Sequence, residues 1–235
     1  DVIRPGYDGL AKATGAEARI LSDLCDAPSE DRLSAARAGF GDMVRSFEAV
    51  EVIRFGPMTE DNRFERFLFW PDRRGTALRQ AQAIVGQRDP EATSPEGLRR
   101  KSVAVQGLLA LEYVLFGGGA DELAGPDTAD FRCRYGATIA SGLSTIADTV
   151  AEEWRDPVGI SGRMTAPRAD DPAYRTIDDS LGEIFAASAH NLEALRDLRI
   201  AAALGDGPGD TKPNLLLFTR SRLATEALVA DIDGT

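Results

Sequence analysis

The segment that most constrains the fold is VAVQGLLALEYVLFGGG, residues 103–119, which is apolar almost throughout but carries Glu112 near its middle. A helix that is apolar on every side is normally buried. A buried carboxylate is costly unless it is paired, binds a metal or is protonated. The chain must therefore enclose this segment and also provide Glu112 with a positive partner or a proton.

Helical geometry narrows the ways in which Glu112 can be stabilised. At about 100° per residue, Leu109, Glu112 and Phe116 share one face of a helix, and the opposite face is apolar as well. Arginine far outnumbers lysine in the chain, and its guanidinium forms bidentate pairs with carboxylates. Two hypotheses stay open at this point: a ligand site at Glu112, or a structural Glu–Arg pair at a helix interface.

Composition excludes several classes of protein. The 235 residues are 43% hydrophobic, enough for a real core, and carry a net charge of −11 that disfavours nucleic acid and anionic membranes. No apolar run reaches the roughly 18–20 residues that span a bilayer. Cys25 and Cys133 allow one disulfide, which the sequence alone does not establish. His190 is the only histidine, which excludes a His-rich metal site and argues against a Ser-His-Asp triad.

Periodicity and capping residues predict an all-α fold of packed helical bundles. Ser29 and Ser94 are the expected N-caps of two of the helices. We find no convincing β alternation. The glycine-rich break at residues 117–125 predicts a division into a half at 1–119 and a half at 120–235. The predicted helices cover about residues 2–24, 30–55, 76–85, 94–116, 127–154, 172–204 and 215–232.

Three segments, in the expected order, resemble the imelysin-like family. GLLALEYVLFG is similar to the segment that carries that family's G-x-H-x-x-E motif. FGPMTEDNRFERFLFWPDRRG shares its Gly-Pro break and its Trp-Pro pair, and TRSRLATEALVADIDG is similar to its Ser-Arg segment. The resemblance implies two bundle-like halves, export to the bacterial periplasm or outer membrane, and a link to iron acquisition. A metallopeptidase activity is also ascribed to the family.

This chain departs from the family motif at one position. Gly107 and Glu112 match the motif, but Leu109 stands where the histidine is expected. A histidine and a glutamate three residues apart share a helix face and can hold one metal, whereas leucine cannot ligate. His190 is predicted to lie on the polar face of its helix, exposed to solvent. With no HExxH motif either, we do not expect peptidase activity.

The resemblance also indicates further candidate site residues. Trp70 and Asp72 match the family's Trp-Pro break, where a packing tryptophan and an Asp72 cap on the next helix are the favoured interpretation. Ser221 and Arg222 match its Ser-Arg segment, and Arg222 is a candidate partner for Glu112, with Arg54 as a second candidate.

A pair of acidic residues is a further candidate cation site. Asp121 and Glu122 follow the triple glycine, where a solvated loop is the favoured interpretation.

The sequence therefore predicts a periplasmic, non-catalytic binding or accessory protein of an iron-uptake system, with its leader removed and a lipoprotein anchor as one option. Its site is expected between the helical halves around Glu112. The ligand is left open among a metal ion (iron or another divalent metal), a metal chelate and an iron-transport partner protein. The alternatives are a metal-dependent peptidase and a purely structural helical module. Compared with the family, further helical sequence is expected beyond the final ADIDGT.

Overall fold

A computed structural model describes residues 2–72, 74–125 and 130–200. No β-strand occurs in these ranges, so the all-α prediction is confirmed. Short 3-10 turns lie at Gly56–Asn62, Pro90–Thr93, Val103–Val105 and Ala120–Ala124, and a π-helical turn lies at Leu195–Ile200. The α-helices are α1 (Ile3–Asp26), α2 (Glu30–Glu48), α3 (Arg63–Phe67), α4 (Thr76–Gln87), α5 (Pro95–Arg99), α6 (Leu108–Phe116), α7 (Asp130–Arg155), α8 (Ile160–Thr165) and α9 (Ile177–Ala194).

Two helices begin where local capping predicts. The Ser29 side chain accepts a hydrogen bond from the Arg32 backbone N–H at 3.3 Å. The Ser94 side chain accepts one from the Gly97 backbone N–H at 3.2 Å. Each bond satisfies a backbone donor that the first turn of a helix leaves without an intrahelical partner.

The core lies among α1, α2, α6 and α7. The long helix α1 packs against α2 and α7, and the short apolar helix α6 packs against α2, α4 and α7. Fully buried aromatic side chains fill the space between them, and the rings of Phe47 and Phe67 stack with centroids 4.6 Å apart. The segment that is apolar on all sides is thus enclosed by neighbouring helices, as its composition requires. None of the described helices is both long and apolar enough to cross a membrane.

A disulfide joins Cys25, at the end of α1, to Cys133, near the start of α7. The bond links residues 108 positions apart and answers the question that the sequence leaves open. It connects the predicted 1–119 and 120–235 halves covalently, while the division into those halves stays a prediction.

The helix predicted over residues 94–116 is interrupted. It is replaced by α5, a 3-10 turn at Val103–Val105 and α6. Two features mark the interruption: the Ser102 side chain caps the 3-10 turn, and Gly107 adopts an extended backbone before α6. Helical periodicity continues across this break, and for that reason the pattern alone predicts a single helix.

Helix α9 begins at Ile177, later than predicted, because Thr176 and Asp179 form a capping box there. Four residues of its apolar face, Ile177, Leu181, Ile184 and Leu192, are 41–56% exposed. Among the described elements, α9 mainly contacts α8 and the π-helical turn that follows it. His190 is exposed, as predicted. The helix predicted at 215–232 lies outside the described residues.

Candidate functional site

Gly107 forms a backbone contact that no other residue could form. It immediately precedes α6, and its Cα lies against the main chain of α3. A Cβ at this position would stand 2.3 Å from the carbonyl oxygen of Phe67 and 2.6 Å from that of Arg66. Both distances are far below van der Waals contact, so only glycine lets α6 start this close to α3.

Glu112 and Leu109 lie one turn apart on α6, and each is only 6% exposed. The prediction that Glu112 is buried is therefore confirmed. Leu109 fills the position of the motif histidine with an apolar side chain that belongs to the core. Among the described residues, no group of three or more His, Cys, Asp or Glu side chains is arranged to hold a metal. Within that part of the chain, Glu112 therefore belongs to no group of side chains that could hold the predicted metal.

Arg54 is placed beside Glu51 rather than beside Glu112. Its guanidinium forms an ion pair with the buried Glu51 carboxylate and lies 4.3 Å from the ring centroid of Phe64. Arg54 thus pairs with Glu51, three residues before it in the chain, and this spacing favours ion pairs. The other candidate partner, Arg222, lies outside the described residues together with Ser221.

Asp72 caps α4. Its two carboxylate oxygens accept hydrogen bonds from the backbone N–H groups of Thr76 at 2.8 Å and Ala77 at 2.7 Å. Asp72 is 4% exposed, and the preceding Trp70–Pro71 peptide bond is cis. Trp70 packs partly buried against the core. These contacts give Trp70 and Asp72 structural roles.

Arg132 closes the other end of α6. From α7 its guanidinium donates to the carbonyl oxygens of Tyr113 at 2.6 Å, Val114 at 3.0 Å and Gly118 at 2.7 Å. The last turn of a helix leaves carbonyl groups without partners and carries partial negative charge, so a buried arginine stabilises it. The sequence offered no signal for this residue, since the contact joins distant segments.

One residue of the acidic pair after the triple glycine, Asp121, forms an ion pair. Asp121, whose side chain is 87% exposed, binds Arg37 of α2 at 2.6 Å. This contact agrees with a solvated loop at 121–122.

Glu17, on α1, is a further buried carboxylate that sequence reasoning missed. It has no exposed surface, and neither carboxylate oxygen has a hydrogen-bond partner among the described residues. Burial, aided by the charge of Asp42, raises its pKa to about 9. Its spacing offered a signal, because Glu17 falls on the same helix face as the buried Leu10 and Leu21.

A cavity of about 270 Å³ opens beside the motif helix rather than around Glu112. It is lined by Gln106, the residue before Gly107, and by arginines of α3 and α5. Neither Leu109 nor Glu112 borders it. This cavity therefore lies at Gln106, and the crevice predicted around Glu112 stays a prediction.

The family model described as Imelysin matches residues 3–235. The chain belongs to the imelysin family. The crystal structure of an imelysin-like protein from Psychrobacter arcticus 273-4 shares this fold with a TM-score of 0.76 and 21% sequence identity. The similarity covers 98% of this chain and 69% of that one. A search of curated proteins gave no significant match.

Membership in the imelysin family confirms the resemblance drawn from three short segments. The family model is named as a peptidase. Relative to the motif on which the resemblance rests, this imelysin-family chain keeps Gly107 and Glu112 but has Leu109 between them.

Proposed function

We propose that this imelysin-family protein is a non-catalytic binding or accessory protein of an iron-uptake system. The observation that carries the proposal is the environment of α6. Gly107 and Glu112 hold the motif's positions, while Leu109 occupies the histidine position and is packed into the core. A hydrolytic metal needs several protein ligands and an open coordination position, and a buried leucine supplies neither.

The ligand we propose is iron carried in a chelate or by a partner protein, bound at the face of the bundle around Glu112. A bare hard cation would need about six or more oxygen ligands. The described residues bring no such group together. The net charge of −11 suits a cationic surface on a partner protein.

We place the protein in the periplasm, where a lipoprotein anchor would keep it at the membrane. The bond between Cys25 and Cys133 supports this location. Disulfides persist in oxidising compartments such as the bacterial periplasm and are rare in the cytosol.

The proposal is tested by two assays on the same three proteins: wild type, Glu112→Gln and Glu17→Gln. The last is a matched control, because it replaces a buried glutamate on another helix. Peptide cleavage is measured with added zinc or iron, and binding of ferric citrate, a defined iron chelate, is measured by calorimetry. We expect no metal-dependent cleavage. We expect ferric citrate binding that weakens at least about tenfold in Glu112→Gln and is unchanged in Glu17→Gln.

Two results would contradict the proposal. Metal-dependent cleavage that disappears in Glu112→Gln would show that the protein is a peptidase. A Glu112→Leu variant that is as stable as wild type and binds ferric citrate equally well would show that Glu112 is only structural. In that second outcome the purely structural alternative is correct.

A further inference from the structure

The cavity beside Gln106 is a positively charged concavity in an acidic protein. Arg63 and Arg66 reach it from α3 and Arg99 reaches it from α5, while α7 forms the facing wall. Of the residues that the structure describes, Asp61 is the single acidic one in its lining. The chain as a whole carries a charge of −11, so this local excess of arginine is contrary to its general composition.

The three arginines differ in how many hydrogen bonds and ion pairs they form with the protein. Arg63 is held by Glu153 through two bonds of 2.6 and 3.0 Å and also donates to the Pro57 carbonyl oxygen. Arg66 and Arg99, in contrast, form no ion pair with any carboxylate of the described residues. Two guanidinium groups are therefore left to serve a ligand.

Gln106 fixes the orientation of Arg66. The Gln106 side chain is buried at 7% exposure, and its amide nitrogen donates to the Lys101 carbonyl oxygen at 2.7 Å. Its amide oxygen is thereby turned to accept from Nε of Arg66 at 3.0 Å. With Nε occupied, the two terminal nitrogens of Arg66 have no acceptor among the described residues. A guanidinium held in this way presents a preset pair of donors, which suits the oxygens of a carboxylate or phosphate.

Arg66 and Arg99 are close enough to repel each other. Burial lowers the pKa of the Arg66 guanidinium most, and the charge of Arg99 lowers it further. The charge of Asp61 opposes this by less than the effect of Arg99, and Arg63 makes the smallest contribution, which lowers the pKa. An anion between the two guanidinium groups would remove this repulsion. The facing wall of α7 adds Ser141, an exposed residue whose hydroxyl can donate, and Gly142, which leaves space.

We propose that the cavity beside Gln106 binds a small oxyanion ligand, bearing carboxylate or phosphate groups, between Arg66 and Arg99. Its volume of about 270 Å³ admits a small metabolite and lies just below the roughly 300–1,000 Å³ of drug-sized ligand pockets. Gln106 is a positioning residue for Arg66. The site requires neither Glu112 nor a metal, so it goes beyond the function proposed above and is independent of it.

The test uses inorganic phosphate and metal-free citrate as probes, in separate titrations by calorimetry with the whole chain. We expect saturable binding of at least one probe. Its affinity should fall at least about tenfold in Arg66→Gln and in Arg99→Gln. Arg100→Gln is the matched control, because Arg100 is the next residue, its side chain is 66% exposed and it does not line the cavity. Preference for phosphate or for citrate identifies which oxyanion group the site selects.

A thermal-shift measurement keeps the test valid if a variant is poorly folded. The effective probe should raise the unfolding temperature of wild type and of Arg100→Gln, but not that of Arg99→Gln, whose exposed side chain can be replaced without disturbing the core. Gln106→Leu should weaken binding while leaving both arginines in place. Absence of saturable binding by either probe, or equal weakening in Arg100→Gln, would overturn the proposal.

Discussion

Glu17 makes the stability of the protein depend on pH. Its pKa in the folded protein, about 9, lies above the ordinary value of 4.5, so between these values the folded protein binds more protons than the unfolded chain. Its contribution to stability is complete below pH 4.5 and is lost as pH rises toward 9. Within this window the free energy of unfolding falls by at most about 1.4 kcal/mol per pH unit. We expect Glu17→Gln to remove this slope and to raise stability at pH 8 by ~1–3 kcal/mol.

The measurement for Glu17 is urea unfolding at a series of pH values from 5 to 9. Glu152→Gln, at an exposed position on α7, is the control and should keep the slope of wild type. An equal pH slope in wild type and Glu17→Gln would mean that Glu17 is ionised in the folded protein.

Gly107 is expected to tolerate no side chain. The Cβ of Gly107→Ala would meet the Phe67 and Arg66 carbonyl oxygens, which are backbone atoms that cannot rotate away. We expect a loss of about 3 kcal/mol or more in the free energy of unfolding, typical of severe overpacking. Gly86→Ala in α4 is the control, since a Cβ there has no neighbour within 4 Å and alanine favours a helix by up to about 1 kcal/mol. Similar stability of the two variants would show that α6 can move away from α3.

The residues that sequence reasoning found, and those it missed, differ in how local their signal is. Glu112 stands out because its immediate neighbours are apolar, and its burial was predicted correctly. Glu17 lies between two alanines on a helix with one apolar face, so only its spacing reveals it. The partners of Arg66 and Arg132 come from distant segments, and no local pattern indicates such contacts.

At the scale of single elements, the start of α4 depends on Asp72. Asp72→Ala removes the acceptor of two backbone N–H groups, so we expect a loss of about 1–2 kcal/mol in the free energy of unfolding. Asp72→Asn keeps one acceptor oxygen and should lose less. Urea unfolding of the three proteins measures the difference. A wild-type stability in Asp72→Ala would show that the cap does not stabilise α4.

Helix starts were predicted well where the capping residue is local, as at Ser29 and Ser94. The break between α5 and α6 was not predicted, because it is set by the contact of Gly107 with α3, which is distant in sequence. The apolar face of α9 shows what periodicity cannot predict. Its periodicity correctly indicates an amphipathic helix, but periodicity cannot say whether a neighbouring element covers that face.

For the whole molecule, the sequence predicted the all-α class and the imelysin family, both of which are confirmed. Class follows from periodicity along the entire chain, and family from three motifs in a fixed order, so both signals are spread over many residues. The location of the cavity depends instead on how α3, α5 and α7 meet. That arrangement is tertiary, so no local pattern in the sequence indicates where the cavity lies.

The disulfide is the strongest covalent constraint on the whole chain. Cross-linking residues 108 positions apart restricts the unfolded chain; by loop entropy this stabilises the fold by about 4–5 kcal/mol, and removal of a native disulfide commonly costs about 2–5 kcal/mol. We expect the double variant Cys25→Ser/Cys133→Ser to lose an amount in that range by urea unfolding. Dithiothreitol should destabilise wild type to the same extent and leave the variant unchanged.

The same bond can be followed in cells by expressing the chain with and without a secretory leader and alkylating free thiols. We expect protein exported to a bacterial periplasm to be protected at both cysteines and to unfold at a higher temperature than the reduced cytosolic form. Two free thiols in the exported protein would contradict the disulfide, and would also remove the support that it gives to a periplasmic location. Because the bond joins α1 to α7, its effect on stability should extend to both helices, and hydrogen exchange should speed up along each of them after reduction.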